Sequence, residues 1–200
     1  SACSMALYGI TWETGALYSI DPNNAALTKV GDTNVKFMAD IQMGADGYLY
    51  GFTTGLAAKT YKIDPSDGKA TELKPVALDE GTFVFEGAMA ESNGDVYWCS
   101  AGMDAGHAKF FEMNVKTGEI LDSFTVEGAI DINGWVRAYT DGDELYGLDR
   151  ESMSIVVIDL MNRTSYTALG WPGDVGEVGG MTYYGNDVYI ATGGTGSVIP

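Results

Sequence analysis

Short runs of aliphatic and aromatic residues recur along the chain, each ended by glycine, proline, asparagine or aspartate. The most regular stretch shows the pattern. Phe37 to Met43 is apolar and extended, Gly44-Ala45-Asp46-Gly47 is a turn, and Tyr48 to Thr53 is a second apolar run. A loop at Thr54 to Lys59 leads to Thr60 to Ile63; the turn Asp64-Pro65-Ser66-Asp67-Gly68 follows, then Ala70 to Leu73. Runs of this length rich in β-branched and aromatic residues, punctuated by turn formers, predict four strands in about 45 residues. No stretch sustains an apolar period of 3.6, and 27 glycines interrupt any that begins, so helix is not expected.

The same order of elements returns. Gly87 to Ala90, Val96 to Ser100, Phe110 to Met113 and Ile120 to Val126 form a further set, with a glycine-rich loop Ala101 to Ala108 inside it. Gly134 to Tyr139, Glu144 to Leu148, Ile155 to Asp159 and Ser165 to Leu169 form the next. Two phrases mark the phase. Leu7-Tyr8-Gly9, Leu49-Tyr50-Gly51, Val96-Tyr97-Trp98, Leu145-Tyr146-Gly147 and Val188-Tyr189-Ile190 place tyrosines 42, 47, 49 and 43 positions apart. Each of the first four is followed by Tyr18-Ser19-Ile20-Asp21-Pro22, Tyr61-Lys62-Ile63-Asp64-Pro65, Phe111-Glu112-Met113-Asn114-Val115 or Val157-Ile158-Asp159-Leu160. A repeat in the forties with several short strands per unit predicts an all-β fold, a β-propeller of four-stranded antiparallel blades. We read units at about residues 1–34, 35–79, 80–128, 129–173 and a partial 174–200, within a single domain. The first unit begins at its second strand and the last contains two, so the ends either complete one another in a ring of four or five blades or leave it incomplete. Unpaired blade edges would then be sites of self-association.

These LYG and IDP phrases resemble the repeats of secreted and surface-attached bacterial propellers, of the YVTN and quinoprotein-like kind. The resemblance covers Leu7 to about Thr192. It implies an extracellular or cell-surface location and a role in binding. No Gly-His combined with a Trp-Asp pair, as in WD40 repeats, occurs, nor does a quinone-docking tryptophan motif.

Charge narrows the partners. With 28 Asp and Glu against 11 Lys and Arg, the net charge of -17 repels nucleic acid and anionic lipid headgroups. No apolar run reaches the ~18 residues of a membrane span. An acidic surface suits weak calcium capture, but Asp141-Gly142-Asp143-Glu144 lacks the spacing of a calcium loop and reads as a hairpin turn; no cofactor is expected. Cys3 and Cys99 fall in different units and read as free thiols. Ser1-Ala2-Cys3 also matches the end of a bacterial lipoprotein signal, which would make Cys3 a lipid anchor. Asn162-Arg163-Thr164 is a glycosylation sequon.

Catalytic chemistry is sparse. His107 is the one histidine, no Gly-x-Ser-x-Gly elbow accompanies it, and no metal-ligand spacing occurs. Asp21, Asp64 and Asp159, with Asn114 in the same place, read as turn-capping side chains. Propeller geometry gathers the remaining candidates. Loops joining second to third strands, and each unit to the next, meet on one face; there we place Trp12, Glu13, His107, Asp149 and Arg150. Near the channel mouth we place Asp40, Glu86, Asp131, Trp135, Arg137 and Glu177. Aromatics beside carboxylates and arginine suit a non-enzymatic module that recognises carbohydrate or a surface protein. The alternatives are a glycan-active enzyme using channel carboxylates, or a structural segment of a larger adhesin or assembly.

Overall fold

The computed structural model describes residues 7–84, 87–104, 107–127, 132–139, 143–170, 178–184 and 187–192. Among them there is no helix, and 17 strands form five antiparallel sheets. The first sheet is β1 (Leu7–Ile10), β2 (Ala16–Ile20) and β3 (Leu27–Asp32); the second is β4 (Met38–Met43), β5 (Leu49–Thr53), β6 (Lys59–Ile63) and β7 (Ala70–Pro75). The third holds β8 (Met89–Asn93), β9 (Val96–Asp104), β10 (His107–Asn114) and β11 (Ile120–Glu127). The fourth holds β12 (Ile132–Tyr139), β13 (Asp143–Asp149), β14 (Ser154–Asp159) and β15 (Thr164–Gly170), and the fifth β16 (Val178–Tyr184) and β17 (Asp187–Thr192). Strands pair in chain order within every sheet, and the innermost strands touch in sequence, β4 with β8, β8 with β12 and β12 with β16. The sheets are blades of a propeller. Among the described residues no strand pairing joins the last blade to the first.

One element differs from the sequence reading. Ala101 to Ala108 is not a loop of its own: β9 continues to Asp104, β10 begins at His107, and these two residues face each other in register. β10 is paired on both sides, its His107 also opposing Glu127 of β11, and a register shift between Ala108 and Phe110 absorbs the mismatch. Two ladders outweigh the weak strand preference of the glycines there.

Neighbouring residues on a strand project to opposite faces, and here both faces are covered. Tyr97, Cys99, Phe111 and Met113 pack toward the second blade with Tyr50 and Phe52, whereas Trp98 and Phe110 pack toward the fourth with Trp135, Leu145 and Ile158. Leu17, Met38, Leu49 and Ile63 fill the first joint, and Leu148 with Met181 the last. The apolar core is thus a series of layers between blades, which accounts for unbroken runs such as Phe110-Phe111.

The LYG glycine belongs to this packing. Ile41 opposes Gly51 and Trp135 opposes Gly147 across the first two strands of their blades, while in the third blade small Ala90 opposes large Trp98. A Cβ on Gly51 would lie 2.7 Å from the Asp40 carbonyl oxygen and 2.9 Å from Met38 Sδ. One member of each pair is small because the other is large.

The IDP turns repeat atom for atom. Asp21, Asp64, Asn114 and Asp159 each accept, through Oδ1, the backbone N–H two residues on, at 2.8 to 3.0 Å. Four residues on, Ala25, Gly68, Gly118 and Arg163 all have positive φ and donate back to the same residue's carbonyl at 2.8 Å. The turns of the second, third and fourth blades seat on the blade before. A Cβ on Gly31 would stand 2.0 Å from the Asp67 carbonyl oxygen, and one on Gly118 2.0 Å from that of Pro75. At the joint of the third and fourth blades Arg163 reaches Asp122, at 2.8 and 3.1 Å, and lies over the Phe124 ring.

The volume exchange between first and second strands predicts a non-additive pair. Ala90→Ile should destabilise by about 1–3 kcal/mol through overpacking and Trp98→Gly by about 3–5 kcal/mol or more through a cavity. The double variant should lose measurably less than the sum in urea unfolding, and strict additivity would refute the exchange.

Candidate functional site

The turn from β1 to β2 is a tight loop built on Thr11-Trp12-Glu13-Thr14-Gly15. Gly15, at φ 73, donates its N–H to the Thr11 carbonyl at 2.9 Å. The Thr11 and Thr14 hydroxyls bond to each other, and the Ala16 N–H donates to Thr11 Oγ1 at 3.0 Å. The turn is docked on the connection from β3 to β4: Thr33 donates both its N–H and its hydroxyl to the Gly15 carbonyl, at 2.9 and 2.7 Å. A Cβ on Gly15 would lie 2.2 Å from the Val35 carbonyl oxygen, so the approach requires glycine.

This docking brings two rings together. The Phe37 N–H donates to the Trp12 carbonyl at 2.8 Å, and the side chains meet edge to face with centroids 5.3 Å apart. Both remain open to solvent, Trp12 by 41% and Phe37 by 46%. Phe37 has φ 60, a left-handed conformation that costs a non-glycine residue about 1–2 kcal/mol. It is held there from the second blade, where Thr54 donates its N–H and its hydroxyl to the Phe37 carbonyl at 2.9 and 3.2 Å. The next residue, Gly55, exchanges two backbone hydrogen bonds with Val84, at 2.7 and 3.2 Å.

Four surface segments from three blades are therefore laced by backbone hydrogen bonds. They carry four exposed apolar side chains, Trp12, Phe37, Leu56 at 69% and Phe83 at 41%. Glu13, Lys36 and Glu80 are exposed beside them in the chain. An apolar crest on a rigid base, edged by charge, can anchor a partner without enclosing it.

The structure places the sequence candidates unevenly. Trp12 and Glu13 stand on the crest. His107 opens β10, at the tip of the β9–β10 hairpin on the same face. Asp149 is buried at the end of β13, its carboxylate accepting the N–H groups of Glu151 and Ser152, both at 3.2 Å, and the Ser152 hydroxyl. Its role is to close the turn from which half-buried Arg150 projects. Trp135 is enclosed in the core and donates its indole N–H to the Trp98 carbonyl at 3.1 Å. Arg137 lies on β12. Glu86, Asp131 and Glu177 lie outside the described residues. Phe37, Leu56 and Phe83 were not singled out in the sequence; their signal is apolar side chains in the loops of one face, visible only once strand boundaries are fixed.

Asp40, on β4, has an interior carboxyl although the residue as a whole is half-buried. Oδ1 accepts the Ile41 N–H and Oδ2 the Met89 N–H of the next blade, each at 2.8 Å. Burial pushes it up to about 8, against the pull of those two N–H groups. Beside it the buried Cys99 is a free thiol, raised by burial and then by the Asp40 charge. Cys3 lies outside the described residues. Among the described residues no His, Cys, Asp or Glu cluster could hold a metal, and no helix is long and apolar enough to cross a membrane.

No protein-family model matches the chain, and no curated protein does. Solved structures do. The chain superposes on regucalcin, a calcium-binding protein from Agrobacterium tumefaciens, with TM-score 0.55 and 13% identity over 94% of this chain and 64% of that one. It matches the WD40 β-propeller domain of Doa1 with TM-score 0.54 and 10% identity, covering 94% and 58%. A nidogen/laminin complex gives TM-score 0.54 and 12% identity, covering 84% and 60%. The chain spans about two thirds or less of the length of each, and the likeness is one of fold.

The buried carboxyl predicts a pH-dependent stability. The folded state holds the Asp40 proton up to about pH 8, whereas an unfolded aspartate releases it near 3.8. This contribution is complete below about pH 4 and is lost as pH rises to about 8. Urea unfolding between pH 5 and 9 should show the decline, and Asp40→Asn should remove this component. A decline of equal slope in the variant would assign it elsewhere.

Proposed function

We propose that the chain is a non-enzymatic β-propeller module that recognises a protein surface through the crest. The observation that carries this reading is the Trp12–Phe37 pair, two exposed rings held from both sides by backbone hydrogen bonds, one of them in a strained conformation. Ala25 and Arg163 adopt the same left-handed conformation to close turns, but at Phe37 it holds an exposed ring against Trp12, and strained backbone of this kind clusters at ligand-binding sites. The crest runs across three blades, an extent suited to a macromolecule, and tryptophan is prominent among interface anchors. The nidogen/laminin complex is an instance of this fold in a protein assembly.

Carbohydrate is the second reading, supported by Trp12 and Glu13 side by side, since a ring can cover an apolar sugar face while a carboxylate binds hydroxyls. Hydrolysis is less well supported: of the four channel carboxylates Asp40 alone is described, and both its oxygens already accept backbone N–H groups. An extracellular or surface location, with or without a lipid at Cys3, fits the acidic composition and the repeat style and is part of the proposal.

Trp12→Ala and Phe37→Ala should each weaken capture of a partner from a cell-surface extract by about 30-fold, the loss expected of an interface anchor worth about 2 kcal/mol. Met161→Ala, on an exposed turn of the opposite face, should leave it unchanged. Equal capture by all variants would remove the crest from the interface, and retention only on an oligosaccharide array, lost in Trp12→Ala, would favour the carbohydrate reading.

A further inference from the structure

The crest rests on two chain segments that enter the inner ring side by side. The connection from β3 to β4 ends at Phe37, three residues before Asp40; the connection from β7 to β8 carries Phe83 and Val84, shortly before Met89. Gly87 lets the two entrances close on each other: a Cβ there would lie 2.6 Å from the Ser100 carbonyl oxygen, 2.9 Å from Phe52 Cζ and 3.1 Å from Ala39 Cβ. Just below that contact the Asp40 carboxyl bridges the blades, bonded to its own strand at Ile41 and to β8 at Met89. Above it the Thr54 bonds to Phe37 and the Gly55–Val84 exchange complete a closed circuit of hydrogen bonds between β4, the loop after β5, and the segment before β8.

We propose that Asp40 is a positioning residue for the crest: its carboxyl ties the entrances of β4 and β8, so that Phe37 and Phe83 keep their spacing, and loss of its proton loosens the tie. The functional meaning of this rests on the binding reading above. Phe37 pays for its left-handed backbone only while the second blade grips its carbonyl, and that grip depends on how β5 and β8 stand relative to β4.

The charge environment makes the tie proton-dependent. Around the carboxyl, β5 presents Phe52 in register and Gly51 beside it, and β8 presents the Met89 backbone; none titrates. From β9 comes the Cys99 thiol, a buried group that adds no positive charge. No described cation pairs with Asp40. An ionised carboxylate here must either stay in an apolar joint or draw water into it, and the second course separates the two entrances. A neutral carboxyl has no such need. The joint thus opens more readily as pH rises, and the opened form, with Asp40 hydrated, holds the proton no better than a free aspartate.

Hydrogen–deuterium exchange on the ligand-free protein tests this without any partner. After correction for the intrinsic pH effect, protection of the Phe37, Thr54, Gly55, Val84 and Met89 amides should fall about tenfold for each pH unit from 5 to 7. Val157 and Ile158 of β14, in the fourth blade, should stay more strongly protected than the crest amides at every pH, because the crest opens without unfolding that blade. In Asp40→Asn the crest profile should be flat; should that variant not fold, the contrast between crest and β14 in the wild type decides. A flat wild-type profile, β14 protection no greater than that of the crest, or an equal fall in a folded Asn variant would overturn the proposal. If the exchange result holds but Trp12→Ala leaves capture intact, the tie stands and the binding reading fails.

Discussion

Every complete blade here is a thin sheet that must be covered on both faces, and that requirement shapes the rest of the molecule. A single four-stranded sheet cannot bury both sets of side chains by itself. Each joint therefore takes half of its core from one blade and half from the next, as when Tyr97 and Trp98 turn to opposite neighbours. The exchange of bulk between first and second strands follows, because a joint has a fixed thickness and both strands contribute to it. So does the near-coincidence of the turn bonds at Asp64, Asn114 and Asp159, since a turn that seats on the preceding blade has little freedom to vary; Asp21 makes the same bonds in the first blade, where the local sequence alone sets them.

The crest is a product of the same geometry. Loops of one face are brought together because all inner strands run in one direction, and the loops then bind each other through backbone groups, supported by the Thr33 and Thr54 hydroxyls. Side chains such as those of Trp12 and Leu56 are left outward. This separates two duties: carbonyls and N–H groups hold the platform, and the Trp12 and Phe37 rings, packed edge to face, stay open to solvent. Asp40 sits where the two duties touch, below the platform and between the blades that carry it.

Much of the fold was legible because its repeat is written twice, once in the LYG phrase and once in the IDP phrase, and the two stay in step. Boundaries moved most at Ala101 to Ala108, where glycines suggested a loop and two-sided pairing of β10 made strands; β8 also runs Met89–Asn93 rather than Gly87 to Ala90, and β4 begins at Met38 rather than Phe37. The site was less legible. Trp12 could be found, since an aromatic in a tight turn is visible in one dimension. Its partner Phe37 could not, because it lies at the edge of an apolar run and reads as the first residue of β4; its exposure comes from a positive φ that nothing in the surrounding residues announces. Asp40 and Trp135 look alike in sequence, each a large or charged side chain on an inner strand. Packing separates them: one indole fills a joint, and one carboxyl crosses it.

Arg163 occupies the turn position held by glycine in the second and third blades, and its guanidinium reaches Asp122 of the blade before. Both groups are half open to solvent, so the pair is worth about 1 kcal/mol or less. Its importance lies in assortment. Blades built from near copies of one unit can dock in the wrong order while the chain is still collapsing, because any such turn would seat on any neighbour's outer strand. The joints carry different pairs, Arg163 with Asp122 between the third and fourth blades and Lys116 with Asp46, at 3.8 Å, between the second and third, and these give an otherwise repetitive chain landmarks from which its order can be counted.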